Sequence, residues 1–308
     1  SNTANKIFNL SQQHTVGVMV YNSAEFMGVP WETIIKLYRN ILGTKQLNTV
    51  NDYHKTFIDF IQKNISWFPK KIQQAAIDSI CVHSFNINID KTENLISKHY
   101  DKLSWNRLGF KEQQKIFLDY FNKSIDESIE EIKRQDFLDN FKNALKDLES
   151  NYGKYIIKKI EVMFKKNNIP YSQTLSNKSK DIIFNCIRRK IFLGDWSGVV
   201  FAGFGEKQIF PSIVEVKIGG VILDNIRHTI LKNREINHQD HTATIAPFAQ
   251  RDMADTFMRG IDPRLERLFI RIVNDTFVNY NNIILNNIEF KKKKSSVQKK
   301  LHDTLDDV

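Results

Sequence analysis

The feature that most constrains this fold is the separation of two strand-rich regions by a long region of helical pattern. Residues 6–10 and 16–21 are short runs of β-prone residues, joined by the short polar segment 11–15. Two further β-prone runs follow much later, at 199–205 and 213–218. Strands near both ends of a chain, with helices between and after them, predict an α+β protein.

Several residues predict where helices begin and end. Pro30 and the residues after it favour a helix start, because proline has no N–H to leave unpaired in a first turn. Gly43 then favours a left-handed stop. Pro247 and Gly260 bound a later helix in the same way, and Asp262-Pro263 caps and opens the last one.

The region between the strand pairs has apolar residues at a spacing close to four, with charged residues between them. The apolar residues that carry this pattern are Phe117, Phe121, Ile125, Ile129, Ile132, Phe137, Phe141, Leu145, Leu148, Tyr155, Ile156, Ile160 and Phe164. A coiled coil would require a sustained 3–4 heptad. We therefore predict a helical insertion that packs on a β-containing core.

The domain organisation follows from these patterns and from charge. We assign residues 1–44 and 191–290 to the core, residues 45–190 to the helical insertion and residues 291–308 to a lysine-rich tail. The formal net charge is +10, but six of the lysines lie in that tail. The remainder is only mildly basic, so we do not expect nucleic acid to be the main partner.

Composition narrows the expected compartment. Hydrophobic residues make up 41% of the chain and charged residues 26%, as in ordinary globular proteins. The sequence contains no run of about 18 uncharged apolar residues, and its first residues do not follow the pattern of a secretory leader. The two cysteines, Cys81 and Cys186, form no CxxC pair. We expect a reduced cytoplasmic protein that does not associate with membranes.

Five segments together resemble N-terminal-nucleophile hydrolases of the proteasome β-subunit type. In chain order they are Asn5–Leu10, Val16–Val20, Asn22–Glu25, Ser197–Gly205 and Pro211–Val216. The phrases Glu25–Thr33 and Ile245–Gln250 also resemble those of uncharacterised bacterial proteins. The resemblance implies an αββα sandwich, here interrupted by the helical insertion and lacking its first strands.

The resemblance also implies a chemistry. In that family an N-terminal Thr, Ser or Cys attacks an amide carbonyl, with its own α-amine as general base, since that amine has a pKa near 8. A lysine tunes the nucleophile, and backbone N–H groups stabilise the oxyanion. By motif, Lys6 falls on the lysine, and Tyr21, Asn22 and Ser23 fall on the oxyanion and substrate positions. The implied substrate is a peptide or small amide, and such folds commonly form homo-oligomers.

The nucleophile itself is not evident. Five residues precede Lys6 and span at most about 18 Å, too little for the family's first strands. We expect that the sequence begins after those elements, and that Ser1 acts as a nucleophile only in a rearranged site. The hydrolase interpretation also requires Lys6 to lie in a buried pocket. An outward-facing lysine at a sheet edge is the equally simple alternative.

No cofactor or metal is expected. His238, Asp240 and His241 form a weak candidate for a metal site, but their spacing is not that of a zinc motif, and a solvated loop explains them as well. The alternative to an enzyme is a non-catalytic interaction scaffold on the same fold, with the helical insertion as its binding surface. A nucleic-acid-associated module that uses the lysine tail is a third alternative.

Overall fold

The computed structural model describes residues 6–10, 13, 15–236, 248 and 251–287. The chain divides into two units, Ser1–Thr244 and Ile245–Val308. Within the described residues the first unit contains all the strands and seven α-helices, and the second contains two helices.

Seven strands are formed in the first unit. They are β1 Ile7–Asn9, β2 Val16–Asn22, β3 Glu25–Phe26, β4 Val29–Pro30, β5 Ser197–Gly203, β6 Ser212–Ile222 and β7 Asn225–Glu235. Five of them form an antiparallel sheet in the order β1-β2-β5-β6-β7, and β3 pairs with β4 in a small hairpin. The predicted α+β class is confirmed, and the two strand-rich regions of the sequence meet in one sheet.

The meeting point of the two regions is the pairing of β2 with β5. Its register runs from Val16 opposite Gly203 to Asn22 opposite Ser197. Gly203 has a φ of +142°, and a Cβ at this position would collide with the carbonyl oxygen of Thr15. A side chain is therefore excluded at this end of the strand pair.

The helices of the first unit occupy the region between β4 and β5. They are α1 Trp31–Leu42, α2 Val50–Lys63, α3 Lys70–His99, α4 Lys102–Arg107, α5 Phe110–Lys133, α6 Leu145–Lys166 and α7 Gln173–Arg188, with single 3-10 turns at Ile65–Trp67 and Asp139–Phe141. The predicted bounds of α1 are confirmed: it starts directly after Pro30, and Gly43 follows it with a φ of +56°. Thr49 and Asp52 form a capping box at the start of α2.

One hydrophobic core lies between the sheet and the helices α1 and α2. Val16, Val18 and Val20 alternate toward this core, and Trp31 and Phe57 come from the two helices. Helix α2 contacts β5, β6 and β7. Helix α2 therefore packs on the sheet, although its residues lie within the predicted insertion.

A second core lies among α3, α5, α6 and α7, with Phe121, Ile160 and Phe184 in it. Phe137 and Phe141, which continue the helical pattern of the sequence, lie between α5 and α6 rather than on a helix. The side chain of Arg189 donates to the carbonyl oxygens of Lys133 and Gln135, where α5 ends. Phe141 lies in a 3-10 turn and is buried there. Its apolar side chain therefore fits the helical spacing of the sequence without belonging to an α-helix.

The second unit contains helices α8 (Arg251–Arg259) and α9 (Pro263–Asn287). Gly260 separates them with a φ of +74°, as predicted. Asp262 accepts a hydrogen bond from the backbone N–H of Arg264 at 2.7 Å, the predicted cap of α9. Pro247 and the tail 291–308 lie outside the described residues.

No helix in the described part of the chain combines the length and apolar character that a membrane span requires.

Candidate functional site

The candidate site lies at the end of β2, where the sequence placed the oxyanion and substrate positions. Tyr21 is buried, and its hydroxyl donates to Glu215 Oε1 at 2.5 Å. Asn22 has a φ of +72° and donates its side-chain N–H to the carbonyl oxygen of Trp196 at 2.8 Å. Ser23 donates to the carbonyl oxygen of Glu25 at 2.8 Å. All three predicted residues therefore anchor the turn that leaves the sheet.

Sheet register explains how Tyr21 reaches Glu215, two strands away. Tyr21 lies opposite Gly198 on β5, and Gly198 lies opposite Lys217 on β6. A Cβ on Gly198 would collide with the ring of Tyr21, so the ring lies directly over this glycine. The phenol can then reach Glu215, which shares a sheet face with Lys217 because it lies two residues away on the same strand.

Glu215 is the buried carboxylate of this face, with 7% of its surface exposed. Its second oxygen, Oε2, lies 3.8 Å from Lys232 Nζ on β7. A buried carboxylate is costly unless it is paired and hydrogen-bonded, and Tyr21 and Lys232 supply these partners. Burial raises the pKa of Tyr21, and the bond to Glu215 raises it further. The phenol therefore keeps its proton and remains a donor.

Lys217 and Trp196 extend the site along the same face. Lys217 Nζ lies 3.9 Å from the centre of a Trp196 ring, a cation–π contact. Tyr21 meets Trp196 edge to face, with ring centres 5.9 Å apart. Burial, and then the positive charge of Arg227, lower the pKa of Lys217. A half-buried amine beside a tyrosine and a carboxylate can hold a hydrogen-bonding ligand.

The predicted lysine lies elsewhere. Lys6 is exposed, and its carbonyl oxygen accepts a hydrogen bond from the backbone N–H of Val20 at 2.8 Å. This bond places Lys6 opposite Val20, which faces the core under α1 and α2. Tyr21, the next residue, projects to the other face of the sheet. The structure therefore does not bring Lys6 together with Tyr21, and the catalytic role of Lys6 lacks the buried setting that it requires.

The remaining predicted residues are the weaker candidates for a nucleophile and for a metal site. Ser1, His238, Asp240 and His241 lie outside the described residues. Within the described part of the chain, no group of three or more His, Cys, Asp or Glu residues is arranged to hold a metal ion.

Glu215 and Lys217 are the members of the site that sequence reasoning missed. Their signal is the run 213–218, in which two charged residues alternate with apolar ones in a β-prone segment. Two charges at a spacing of two lie on one face of a strand, which marks that face as polar. Tyr21 could not be joined to them without the sheet register.

Known proteins offer no guide to this site: the chain matches no family model, no curated protein and no solved structure. The fold and site define a mixed α+β protein whose antiparallel sheet carries a buried tyrosine–carboxylate pair with a partly exposed lysine beside it.

Proposed function

We propose that the protein is a homo-oligomeric interaction scaffold that self-associates through helix α9. The observation that carries this proposal is the exposure of apolar side chains along that helix. They are Leu265, Leu268, Phe269, Ile270, Ile272, Phe277, Val278 and Tyr280, each with about half or more of its surface exposed. Contiguous exposed apolar surface of this kind marks an interaction site.

Most of these residues share one side of the helix. At 3.6 residues per turn, the arc from Leu268 through Phe269 to Ile270 is mainly apolar, with Glu266, Thr276 and Asn279 also in it. Arg264, Arg267 and Arg271 lie on the other side. We call the apolar arc the α9 stripe; it comprises Leu265, Leu268, Phe269, Ile270, Ile272, Phe277 and Tyr280. Val278 lies outside it, opposite Phe269.

The exposed area is of the right size for a dimer. Phe269, Phe277 and Tyr280 of the stripe and Phe257 of α8 are each at least 60% exposed. At 150–250 Å² for a whole aromatic side chain, these four expose about 550 Å². A standard interface buries about 800 Å² on each partner, so the aliphatic residues of the stripe need to supply only the remainder.

Sedimentation velocity of the full chain tests this proposal. Phe269→Lys puts a charge at the centre of the stripe, and Val278→Lys puts the same charge on the opposite side of the same helix. We expect an oligomer for the wild type and for Val278→Lys, and a shift to monomer for Phe269→Lys. A monomeric wild type, or equal behaviour of the two variants, overturns the proposal.

An amide or peptide hydrolase of the N-terminal-nucleophile type is the second candidate. The hairpin of β1 and β2 precedes α1, and β5 pairs with the strand that follows it, β6, which is the chain order that supports this candidate. Tyr21, Asn22 and Ser23 would offer the substrate and oxyanion contacts. Lys6 is the lysine that the resemblance implies, and its exposed side chain would have to be covered before it could tune a nucleophile. The exposure of Lys6 places this candidate second.

A generic acylating probe distinguishes the two candidates. For the hydrolase, Lys6→Ala abolishes covalent labelling while Lys45→Ala, at another exposed lysine, leaves it unchanged. For the scaffold, labelling is absent or the same in both variants. Far-ultraviolet circular dichroism checks that each variant is folded.

A further inference from the structure

A pocket of about 260 Å³ lies in the helical region of the first unit, far along the chain from the sheet site. Helix α3 contributes Ser84, Asn88 and Lys91 to its wall, α5 contributes Ser128 and Glu131, and α7 contributes Ile182 and Cys186. The pocket is therefore built on three packed helices, which hold its walls in place. Neither proposed function uses it.

The polar side of the pocket is organised by Asn88. Its Oδ1 accepts hydrogen bonds from Ser124 Oγ at 3.0 Å and Ser128 Oγ at 2.9 Å, and its Nδ2 donates to the carbonyl oxygen of Ser84 at 2.8 Å. One of its two side-chain N–H groups therefore remains available, because an amide carries two donors. Ser84 Oγ forms no hydrogen bond within the described structure, although the residue is 95% buried.

A second unpartnered hydroxyl lies next to this wall. Ser179 Oγ is buried and has no hydrogen-bond partner within the described structure. It lines a small internal cavity of about 10 Å³, whose walls include Ser84, Asn88 and Ile182. These three residues also line the larger pocket. Ser179 does not line the larger pocket, so the polar groups that an occupant of that pocket can bond are those of Ser84 and Asn88.

The rest of the lining is mainly apolar, with Gln135 as a further polar residue, and it carries no net charge. Ile132, Ile182 and Leu193 line it, and Lys91 Nζ bonds Glu131 Oε2 at 2.6 Å. These two are the charged side chains of the lining, and each neutralises the other. The pair lies at the exposed edge of the pocket, with the Glu131 side chain 62% exposed, and it leaves the lining without net charge to attract a charged ligand.

We propose that this pocket binds a small uncharged amphipathic molecule, with its hydroxyl or carbonyl group at Ser84 and Asn88 and its hydrocarbon part against the isoleucines. A 150 Å³ cavity holds benzene, so a pocket of about 260 Å³ holds about ten non-hydrogen atoms. An apolar cavity with a few convergent polar groups is the usual form of such a site.

Methyl NMR of the full chain with labelled isoleucines tests the proposal with two probes, 4-propylphenol and propylbenzene. The probes differ by one hydroxyl group. We expect saturable shifts of the Ile132 and Ile182 methyl signals with both. Ser84→Ala weakens 4-propylphenol about five- to tenfold, the effect of one lost hydrogen bond, and leaves propylbenzene unchanged.

A blocking variant and its control complete the test. Ile132→Trp fills the mouth and abolishes binding of both probes, followed at Ile182. Ile157→Trp, a partly exposed position of α6 that does not line the pocket, leaves binding unchanged. The absence of saturable shifts at Ile132 and Ile182 in the wild type overturns the site. An equal effect of Ser84→Ala on both probes overturns the hydrogen-bonding contact.

Discussion

At the scale of single residues, the sheet holds two buried ionic side chains whose partners differ in kind. Glu215 is bound by a phenol and a nearby ammonium group from two other strands. Arg227 is fully buried and donates to backbone carbonyl oxygens of Cys186, Ile187 and Ile191. Each side chain links elements that are distant in sequence. The groups that it bonds, and not its charge alone, therefore decide which parts of the fold it stabilises.

Removing the phenol tests the first of these networks. Tyr21→Phe keeps the ring over Gly198 but leaves Glu215 Oε1 without its donor. We expect the free energy of unfolding to fall by about 1–3 kcal/mol, the cost of an unsatisfied buried polar group. Urea denaturation measures it. Tyr171→Phe removes a similar 2.6 Å bond from an exposed tyrosine and should change stability by less than about 0.5 kcal/mol; equal effects would contradict the prediction.

His54 predicts a pH dependence of stability. Burial lowers the pKa of His54 to about 4, and the positive charges of His228 and Lys55 add to this while Asp59 opposes it. In the unfolded chain a histidine has a pKa near 6.5. Between these values the unfolded state binds more protons than the folded state, so stability falls as the pH is lowered through this window.

Between pH 7 and pH 4 we therefore expect the free energy of unfolding of the wild type to fall by about 2–3 kcal/mol more than that of His54→Phe. Urea denaturation at each pH measures it. His99→Gln, at an exposed histidine of α3, should keep the wild-type dependence. Parallel stability curves for the wild type and His54→Phe would show that His54 is not responsible.

At the scale of elements, the sequence predicts those with clear local signals and misses those whose pattern is set by packing. The caps of α1 and α9 were readable because Pro30, Gly43 and Asp262 act locally. Strand β7 was missed because its second half, Leu231–Glu235, is polar and mostly exposed. Helix α3 was missed because it buries polar residues among its apolar ones, which removes the periodic signal; they are Gln73, Ser84, Asn88 and Thr92.

The candidate site was predictable to the same extent. The local pattern predicted the strand that ends at Tyr21, and the resemblance then selected Tyr21, Asn22 and Ser23 as site residues. Glu215 joins Tyr21 only through the pairing of β2 with β5 and of β5 with β6, which spans 194 residues of sequence. Register across strands depends on long-range packing, and local sequence does not fix it.

The pairing of β2 with β5 can be tested at its end. Gly203→Ala introduces a Cβ that collides with the backbone oxygen of Thr15, at a φ of +142° that alanine disfavours. We expect Gly203→Ala to lower the free energy of unfolding by more than about 3 kcal/mol, because the backbone must move to relieve the contact. Gly109→Ala provides the control, since no atom lies within 4 Å of its added Cβ. Thermal denaturation that ranks the two variants equally would contradict the close approach at Gly203.

At the scale of the whole molecule, the sheet core and the helical core of the first unit are connected by several polar contacts. Arg227 on β7 binds the end of α7. Gln73 of α3 binds both the carbonyl oxygen of Phe68 and the carboxylate of Asp224 at the β6–β7 turn. Ile222, at the end of β6, is itself part of the helical core. These contacts indicate that the two cores unfold together.

Core substitutions test this coupling. Ile34 is fully buried in the sheet core and Leu148 in the helical core. Each change to alanine should lower the free energy of unfolding by about 2–5 kcal/mol. In the double variant the two decreases should add within about 0.5 kcal/mol. Two local probes distinguish one transition from two. Fluorescence reports on Trp31 beside the sheet when Trp67, Trp105 and Trp196 are replaced by phenylalanine, and pulsed thiol labelling reports on Cys81 and Cys186 in the helical core. Burial raises the pKa of both thiols to about 12, so little thiolate is present and labelling is slow until the helices open. Both probes should give the same urea midpoint in each variant, because one cooperative unit has one free energy of unfolding. A Leu148→Ala protein whose thiols become reactive while Trp31 remains native would show instead that the helical core opens on its own.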